Sequence, residues 1–158
     1  MFLRLRDRIP ELGHLLIAQL LIREGGRLLA LTADVGAWPD VEAAVAQVTS
    51  VLGRVDILVN NAGMSIRKQP QDYTLAEWRE VIDSNLTSAF LLTRAVLPGM
   101  RARRRGHILN ISSMGGLIGF PGIGYYNATK FAVEGLSEAM AKECAPLGIR
   151  VTAVEPGP

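Results

Sequence analysis

Short apolar runs rich in β-branched residues alternate with stretches of helical period along this chain, and this alternation limits the possible folds more than any other feature. Strands are predicted at 27–32, 55–59, 107–111 and 149–154, and helices at 10–24, 39–52, 74–101 and 125–145. The run VDILV at 55–59 has the length and composition of a strand buried in a parallel sheet. This order predicts an α/β fold, a doubly wound parallel sheet with right-handed crossovers and about four strands present.

Two helix boundaries carry recognisable signals. Thr74, with Glu77 three residues later, forms a capping box at the start of the long helix. Gly25 and Gly26 follow the helix predicted at 10–24, and glycine commonly ends a helix. No linker or repeat interrupts the pattern, so residues 1–158 are interpreted as a single domain.

The composition favours a globular domain over several other classes of protein. With 49% hydrophobic residues and a net charge of +2, the chain differs from disordered segments, which are poor in apolar residues and unbalanced in charge. A disulfide scaffold needs many cysteines, whereas this chain has only Cys144. A lone cysteine is interpreted as a small buried apolar residue, which is compatible with a reducing cytoplasm.

The apolar run LLIAQLLI at 15–22 matches neither a signal peptide nor a membrane span. Gln19 interrupts it, and Arg23 and Glu24 follow it directly, with no small-residue cleavage site before Gly25. A membrane span needs about 18 or more apolar residues in a row. We therefore expect a cytoplasmic protein with no membrane partner.

Small or polar residues follow each predicted strand, where ligands bind in open parallel sheets. The segments after the four strands contain Asp34 and Val35, NNAG at 60–63, Ser112 and Ser113, and Pro156 and Gly157. Each of these alone is typical of an ordinary turn. Their coincidence at corresponding positions predicts one site, at which the backbone closely approaches a flat ligand.

Asn85 lies on the apolar stripe of the long helix, two turns after Trp78. A buried amide without a partner costs roughly 1–3 kcal/mol. We therefore expect Asn85 to hydrogen-bond to backbone or water, in either a structural or a functional role.

Tyr126 and Lys130 are four residues apart and so share one face of the last helix. A free phenol titrates near pH 10 and is a poor acid or base at neutrality. A neighbouring ammonium favours the phenolate, which makes the pair a candidate proton donor and acceptor. The same spacing is also common among surface residues.

Taken together, these motifs resemble the short-chain dehydrogenase/reductase family. They are NNAG at 60–63, Asn85, NISS at 110–113, YNATK at 126–130 and PG at 156–157. The gaps also agree, since Ser113 lies 13 residues before Tyr126 and Asn85 a further 28 before Ser113. The resemblance covers residue 12 to the end and implies a Rossmann-like sheet, a nicotinamide cofactor and a secondary alcohol or ketone as substrate.

The resemblance implies a role for each of four catalytic residues. Tyr126 would be the general acid or base for the substrate oxygen, and Ser113 would hydrogen-bond the same oxygen. Lys130 would hold the hydroxyls of the nicotinamide ribose and favour the phenolate of Tyr126. Asn85 would anchor a water that relays protons from Lys130 to solvent. Tyr125 is not the expected phenol, because the residue four positions after it is not a lysine.

The resemblance also implies cofactor contacts and an assembly. Asp34 and Val35 would contact the adenine ring, and Tyr126 and Lys130 would also contact the cofactor. The floor of the cofactor cleft would be Asn61, Ala62 and Gly63, and the nicotinamide face would meet Pro156 and Gly157. Helices 75–101 and 125–145 would pack against a second copy, giving a homo-oligomer. No metal ligand is expected.

The chain departs from the family at its beginning and its end. It has no G-x-G-x-x-G or T-G-x-x-x-G-x-G spacing before residue 60, so the N-terminal glycine-rich βαβ unit and its diphosphate site are expected to be absent. NAD and NADP then both stay open as the cofactor. The strand at 27–32 would lack a neighbour that joins it to 55–59, and the C-terminal substrate loop is also expected to be absent. The chain is interpreted as a fragment from the middle of a dehydrogenase.

The sequence leaves the substrate open. SIRKQPQDYTLAEW, after NNAG, resembles the sugar-acid and deoxygluconate dehydrogenase branch. GFPGIGYYNATKFAVEGLSEAM and VEPGP instead resemble the group similar to 17β-hydroxysteroid dehydrogenases. A secondary alcohol or its ketone is the expectation common to both.

Two other functions compete with catalysis. The chain could be a truncated non-catalytic remnant, or an oligomerisation module that keeps the helix surfaces without turnover. Nucleic-acid binding is suggested by Arg101, Arg103, Arg104 and Arg105. Arginines at a helix C-terminus also complement its dipole, and the near-neutral net charge favours that interpretation. We expect no nucleic-acid partner.

Overall fold

Helices and strands alternate through the computed structural model, which describes residues 19–21 and 28–157. The strands are β1 (Gln19–Leu21), β2 (Leu28–Ala30), β3 (Ile57–Asn60), β4 (Gly106–Ile111) and β5 (Ile149–Val154). The α-helices are α1 (Trp38–Leu52), α2 (Leu75–Ile82), α3 (Ser88–Arg103) and α4 (Gly124–Cys144). A π-helical turn spans Asp83–Thr87, and 3₁₀ turns span Pro70–Asp72, Met114–Gly116 and Ala145–Leu147. None of the helices in this described part is long and apolar enough to cross a membrane.

Three strands form a parallel sheet in the order β3-β4-β5. Asn60 lies opposite Asn110, and Ile111 lies opposite Val154. The crossover from β3 to β4 contains α2 and α3, and the crossover from β4 to β5 contains α4. Parallel neighbours need such crossovers because a tight turn cannot return the chain to the same end of the sheet. The α/β class predicted from the alternation is confirmed.

The strand predicted at 27–32 stands apart from this sheet. Its described part, β2, pairs antiparallel with β1, and Leu29 lies opposite Leu20. Within residues 19–21 and 28–157, no strand joins β2 to β3, in agreement with the expectation that the strand at 27–32 lacks such a neighbour. The parallel sheet described therefore has three strands, and the strand predicted at 27–32 belongs instead to a separate two-stranded antiparallel sheet.

The helix predicted over 10–24 is wrong where the structure can test it. Residues 19–21 form β1, and their backbone pairs with β2. A short apolar run fits a strand as well as a helix by periodicity alone, which is why the pattern misled the prediction. The remainder of that prediction, at 10–18 and 22–24, lies outside the described residues.

The hydrophobic core lies between one face of the parallel sheet and the helices. Leu58, Ile108 and Ile149, one from each strand, are buried in a single cluster with side chains of α1, α3 and α4. Full burial of such a side chain contributes roughly 1.5–3 kcal/mol. On the opposite face of β3, Ile57 and Val59 are half exposed. The helices are therefore fixed to the sheet through one apolar layer, and that layer sets the position of the strand ends.

The helix predicted at 74–101 is present but interrupted. Thr74 Oγ1 accepts a hydrogen bond from Glu77 N, and Thr74 N donates to Glu77 Oε2 at 2.9 Å, so the predicted capping box is confirmed. Between α2 and α3 the chain makes the π-helical turn Asp83–Thr87. Such turns are rare and occur frequently at functional sites.

Replacing Thr74 with alanine should destabilise the protein by about 1 kcal/mol, because Glu77 N loses its acceptor. Chemical denaturation followed by circular dichroism measures the free energy of unfolding. The matched control is Ser50→Ala, which removes an exposed hydroxyl that donates to Gln47 O at 2.9 Å and should cost less than about 0.5 kcal/mol. Equal losses in the two variants would contradict the role of the cap.

Candidate active site

The parallel register brings three loops to one edge of the sheet. Because Asn60 pairs with Asn110 and Ile111 with Val154, the carboxyl ends of β3, β4 and β5 lie side by side. Ser112 N extends the ladder by donating to Val154 O at 2.8 Å. The segments after these strands, which hold the residues predicted to bind ligand, therefore leave the sheet together.

Lys130 is buried at this edge. Its side chain projects from α4 and is only 5% exposed, and Nζ donates to Ile111 O at 2.7 Å. Burial lowers the pKa of Lys130 because it disfavours the charged form, and the carboxylate of Glu134 acts in the opposite direction. The lysine side chain is thus held in the interior by this hydrogen bond rather than exposed at the surface.

Asn85 lies in the π turn, and its amide is fully engaged. Oδ1 accepts from Met64 N at 2.7 Å, while Nδ2 donates to Met64 O at 2.9 Å and to Thr129 Oγ1 at 2.9 Å. The expectation that this buried amide bonds to backbone is confirmed. Asn85 therefore ties the loop after β3 to α4, which is a structural role. A second, functional role is compatible with this geometry.

Gly63 lies where Asn85 and Lys130 meet. A Cβ built on Gly63 would lie 3.2 Å from Asn85 Oδ1 and 3.6 Å from Lys130 Nζ. The first distance is tighter than nine in ten real Cβ contacts, so a side chain here would require the Asn85 amide to shift by a few tenths of an ångström. Glycine leaves the backbone open beside the side chains of Asn85 and Lys130.

Tyr126 and Ser113 both lie close to Gly115. A Cβ built on Gly115 would be 3.2 Å from Tyr126 Cε1 and 3.6 Å from Ser113 Oγ. The Lys130 Nζ lies 5.6 Å from the centroid of the Tyr126 ring. The structure therefore gathers the phenol, the hydroxyl and the ammonium around the end of β4, although Ser113 and Tyr126 are separated by a glycine-rich loop in sequence.

Tyr125 belongs to a different cluster from Tyr126. Its hydroxyl donates to Pro70 O at 3.1 Å, and its ring packs edge-on against Tyr73 and Trp78, with centroids 4.5 and 5.0 Å apart. These contacts anchor the start of α4 to the segment before α2. Tyr125 is therefore occupied in packing, in agreement with the choice of Tyr126 as the candidate phenol.

Asp34 and Val35 line a cleft that the four catalytic candidates do not line. Its volume is about 320 Å³. It is lined by Asp34, Val35, Gly36, Ala76, Arg79, Glu80, Asp83 and Ser84. Asp34 Oδ1 accepts from Gly36 N at 2.8 Å, which fixes the turn, and Val35 is buried in the core. The cleft shares the π turn with Asn85, so the two parts of the predicted site are neighbours.

The remaining predicted cofactor residues are less constrained. Asn61 is exposed, and Ala62 packs partly against the core. Pro156 and Gly157 are exposed after β5, at the same edge of the sheet. Within residues 19–21 and 28–157, no hydrogen bond joins Pro156 or Gly157 to the other candidates. In the same range, no three His, Cys, Asp or Glu residues form a group that could hold a metal ion.

A buried polar network beneath the site was not predicted. Asn60 Nδ2 donates to Asn110 Oδ1 at 2.8 Å, and Asn110 Nδ2 donates to Ser137 Oγ at 2.8 Å. Asn60 Nδ2 also makes a longer contact of 3.3 Å to Thr93 Oγ1. The signal was present in the sequence, because an asparagine interrupts each of two apolar strands. The network joins β3, β4 and α4 directly below the loops of the site.

This geometry agrees with the comparisons to known proteins. The chain matches the family described as short chain dehydrogenase over residues 4–158 and belongs to that family. A 3-ketodihydrosphingosine reductase of Bacteroides thetaiotaomicron is 46% identical over 132 residues, which are 84% of this chain and 49% of the relative. A cyclopentanol dehydrogenase of Comamonas testosteroni is 41% identical over 153 residues, which are 97% of this chain and 61% of the relative.

A solved structure described as ElxO with NADP bound superimposes with a TM-score of 0.75 at 35% identity, over 78% of this chain and 50% of that chain. Compared with the two enzymes and this structure, the chain matches between about half and three fifths of their length. The Rossmann-like class predicted from the motifs is confirmed.

Asn110→Leu should destabilise the protein by roughly 1–3 kcal/mol, because Asn60 and Ser137 each lose a buried partner. The control is Asn61→Leu, which changes an exposed asparagine in the neighbouring motif and should stay within about 0.5 kcal/mol. Unfolding in urea compares the two. A stable Asn110→Leu variant would show that the network does not hold the strand ends.

Proposed function

We propose that this chain carries the catalytic centre of an oxidoreductase, which moves a hydride between NAD or NADP and a secondary alcohol or ketone, with Tyr126 as general acid and base. The observation that carries the proposal is the position of Lys130. Its buried ammonium lies beside the Tyr126 ring, while Ser113 and Tyr126 both border Gly115. A phenol, a hydroxyl and a cation at one point suit proton transfer to a polar oxygen.

Each side chain has a defined task in this reaction. The Tyr126 hydroxyl gives its proton to the carbonyl oxygen during reduction and takes it back during oxidation. The hydroxyl of Ser113 donates a hydrogen bond to the same oxygen and stabilises the negative charge that develops there. The Lys130 ammonium favours the phenolate of Tyr126 through its positive charge.

Asn85 is proposed to support proton exchange with solvent. Its amide is held by Met64 and Thr129, the residue before Lys130. Met64 O accepts from Asn85 and still has a second lone pair, as carbonyl oxygens do. A water bound there would lie near Lys130 and would pass protons between its ammonium and the surface.

The residues present fit the nicotinamide half of a dinucleotide. Gly63 leaves space at the backbone beside Lys130, whose ammonium would hold the ribose hydroxyls. When bound, the cofactor supplies or accepts the hydride. Asp34 and Val35 would contact the adenine ring in their cleft, and Pro156 and Gly157 would face the nicotinamide. The described residues provide no glycine-rich turn of the G-x-G-x-x-G type for the diphosphate, and NAD and NADP both remain compatible.

The proposed substrate class follows from the shared chemistry of the relatives. One relative is named for a ketone that it reduces and another for a cyclic alcohol that it oxidises. In both compounds the reacting group is an oxygen on a carbon that is bonded to two other carbons. The pairing of Ser113 with Tyr126 suits that oxygen and makes no demand on the rest of the substrate.

We also propose a homo-oligomer formed through helices 75–101 and 125–145. Large apolar side chains are exposed on both segments, among them Leu75, Phe90 and Phe131. Burying such side chains against a second copy would be favourable by roughly 25 cal/mol for each Å² of apolar surface. A cytoplasmic location is part of the proposal, supported by the free buried thiol of Cys144.

Tyr126→Phe should lower kcat/KM for oxidation of cyclopentanol by about 10²-fold or more, because the alcohol loses the phenolate that accepts its proton. Tyr125→Phe removes a hydroxyl from the adjacent residue and should keep most of the activity, since Tyr125 acts in packing. Initial rates with NAD⁺ and with NADP⁺ measure both variants. Equal losses would refute the assignment of Tyr126.

Titration with NADH and with NADPH should produce a saturable change in tryptophan fluorescence. Gly63→Ala should weaken this binding at least several-fold, because the added methyl group crowds Asn85 Oδ1. Gly135→Ala is the control, since a Cβ there meets nothing within 4 Å. The absence of a saturable change in the parent chain would favour a non-catalytic remnant or an oligomerisation module.

A further inference from the structure

The loop between Ser113 and Tyr126 rests on the start of α4 through a glycine. A Cβ built on Gly115 would lie 2.8 Å from Asn127 Oδ1 and 3.2 Å from Tyr126 Cε1. Real Cβ atoms essentially never lie within 3.0 Å of another heavy atom, so any larger residue here would force its neighbours to shift. The 3₁₀ turn Met114–Gly116 therefore lies directly against the residues that begin α4.

Asn127, the residue after Tyr126, spans the space between two points of this loop. Its side chain is only 5% exposed, and Nδ2 donates to Phe120 O at 3.1 Å. A carbonyl oxygen can only accept, so the amide nitrogen must face Phe120 and the amide oxygen must face Gly115. Among the described residues, that buried oxygen makes no hydrogen bond. An unpaired buried acceptor is unfavourable, so a function for this side chain is expected.

The hydroxyl of Ser113 is fixed by the turn that Asn127 contacts. Ser113 Oγ accepts from Gly115 N at 3.1 Å, and Ser113 O accepts from Gly116 N at 2.8 Å. Movement of this turn away from α4 would therefore move the hydroxyl as well. The loop resists such movement poorly by itself, because five of the ten residues at 115–124 are glycine and glycine loses the most conformational freedom on ordering.

We propose that Asn127 is a positioning residue that sets the distance between the hydroxyls of Ser113 and Tyr126. The inference rests on the proposed function, in which both hydroxyls contact one substrate oxygen. Asn127 acts through Ser113 and takes no part in proton transfer. An apolar side chain in its place would leave Phe120 O without this donor, and an aspartate would bring a carboxylate oxygen against that carbonyl.

Amide hydrogen exchange of Gly115 tests the inference in the full chain, without cofactor or substrate. Met114-Gly115 is the only methionine–glycine step in the sequence, so labelling the methionine carbonyl with carbon-13 and glycine with nitrogen-15 identifies this amide by NMR. Because the amide bonds to Ser113 Oγ, its exchange rate reports how firmly the hydroxyl is held. Asn127→Ala should raise that rate about tenfold or more. Exchange at Gly135, in the middle of α4, should not change.

Activity provides a readout that a merely structural role would not move. Asn127→Ala should lower kcat for cyclopentanol about tenfold or more, because misplaced reacting groups slow catalysis steeply. The dissociation constant of NADH, measured by tryptophan fluorescence, should stay unchanged. The control is Gln69→Ala, which removes an exposed amide from the loop after β3 and should leave the exchange of Gly115 and kcat unchanged.

An unchanged exchange rate of Gly115 in folded Asn127→Ala would overturn the inference, as would faster exchange with kcat unchanged. If that variant does not fold, Asn127→Asp, which keeps the shape and loses the donor to Phe120, is measured in the same way and is expected to raise the exchange rate. A chain without any activity would instead count against the proposed function, and the exchange rates would then still decide whether Asn127 holds the Ser113 hydroxyl.

Discussion

A charged amine held away from water is the constraint on which the candidate site depends. An ammonium in the interior must have its protons and its charge compensated locally. Ile111 O supplies an acceptor at 2.7 Å, at the point where β4 ends and its ladder is completed by Ser112. Sliding α4 along β4 by one turn, about 5.4 Å, would remove Lys130 from that carbonyl. The register of helix against strand is therefore fixed by a polar requirement as well as by apolar packing.

Buried asparagines in the strands impose a similar polar requirement on the sheet. Asn60 and Asn110 are buried at positions where an apolar side chain would have no polar group to satisfy. Each makes at least one hydrogen bond through its side chain. In a low-dielectric interior such bonds are strong when complete and costly when broken, so they favour one arrangement over its near neighbours. The consequence is that the loops after β3 and β4 leave the sheet at a fixed spacing above this network.

The features of this arrangement that depend on residues close together in the chain can be predicted from the sequence. The capping box at Thr74, the strand at 55–59 and the shared face of Tyr126 and Lys130 all follow from periodicity and short spacings. The contacts that assemble the site join residues far apart: Asn85 meets Thr129 across 44 positions, and Asn60 meets Asn110 across 50. The periodicity of apolar residues along the chain does not indicate which distant residues will form hydrogen bonds. It also could not separate strand from helix at 19–21, because a segment of three residues is too short to show either period.

The π turn at Asp83–Thr87 divides one long helix into two segments with different phases. Each residue of an α-helix turns the chain by about 100°, so one additional residue lets Asn85 face Met64 while Leu92 and Val96 still face the sheet. Deleting any residue of the turn would restore a regular helix and rotate one segment against the other. Either the Asn85 amide would then turn away from Met64, or Leu92 and Val96 would turn away from the sheet. The length of this segment is consequently locked, unlike the length of a surface loop, and sequence drift here can proceed by substitution but not by insertion or deletion.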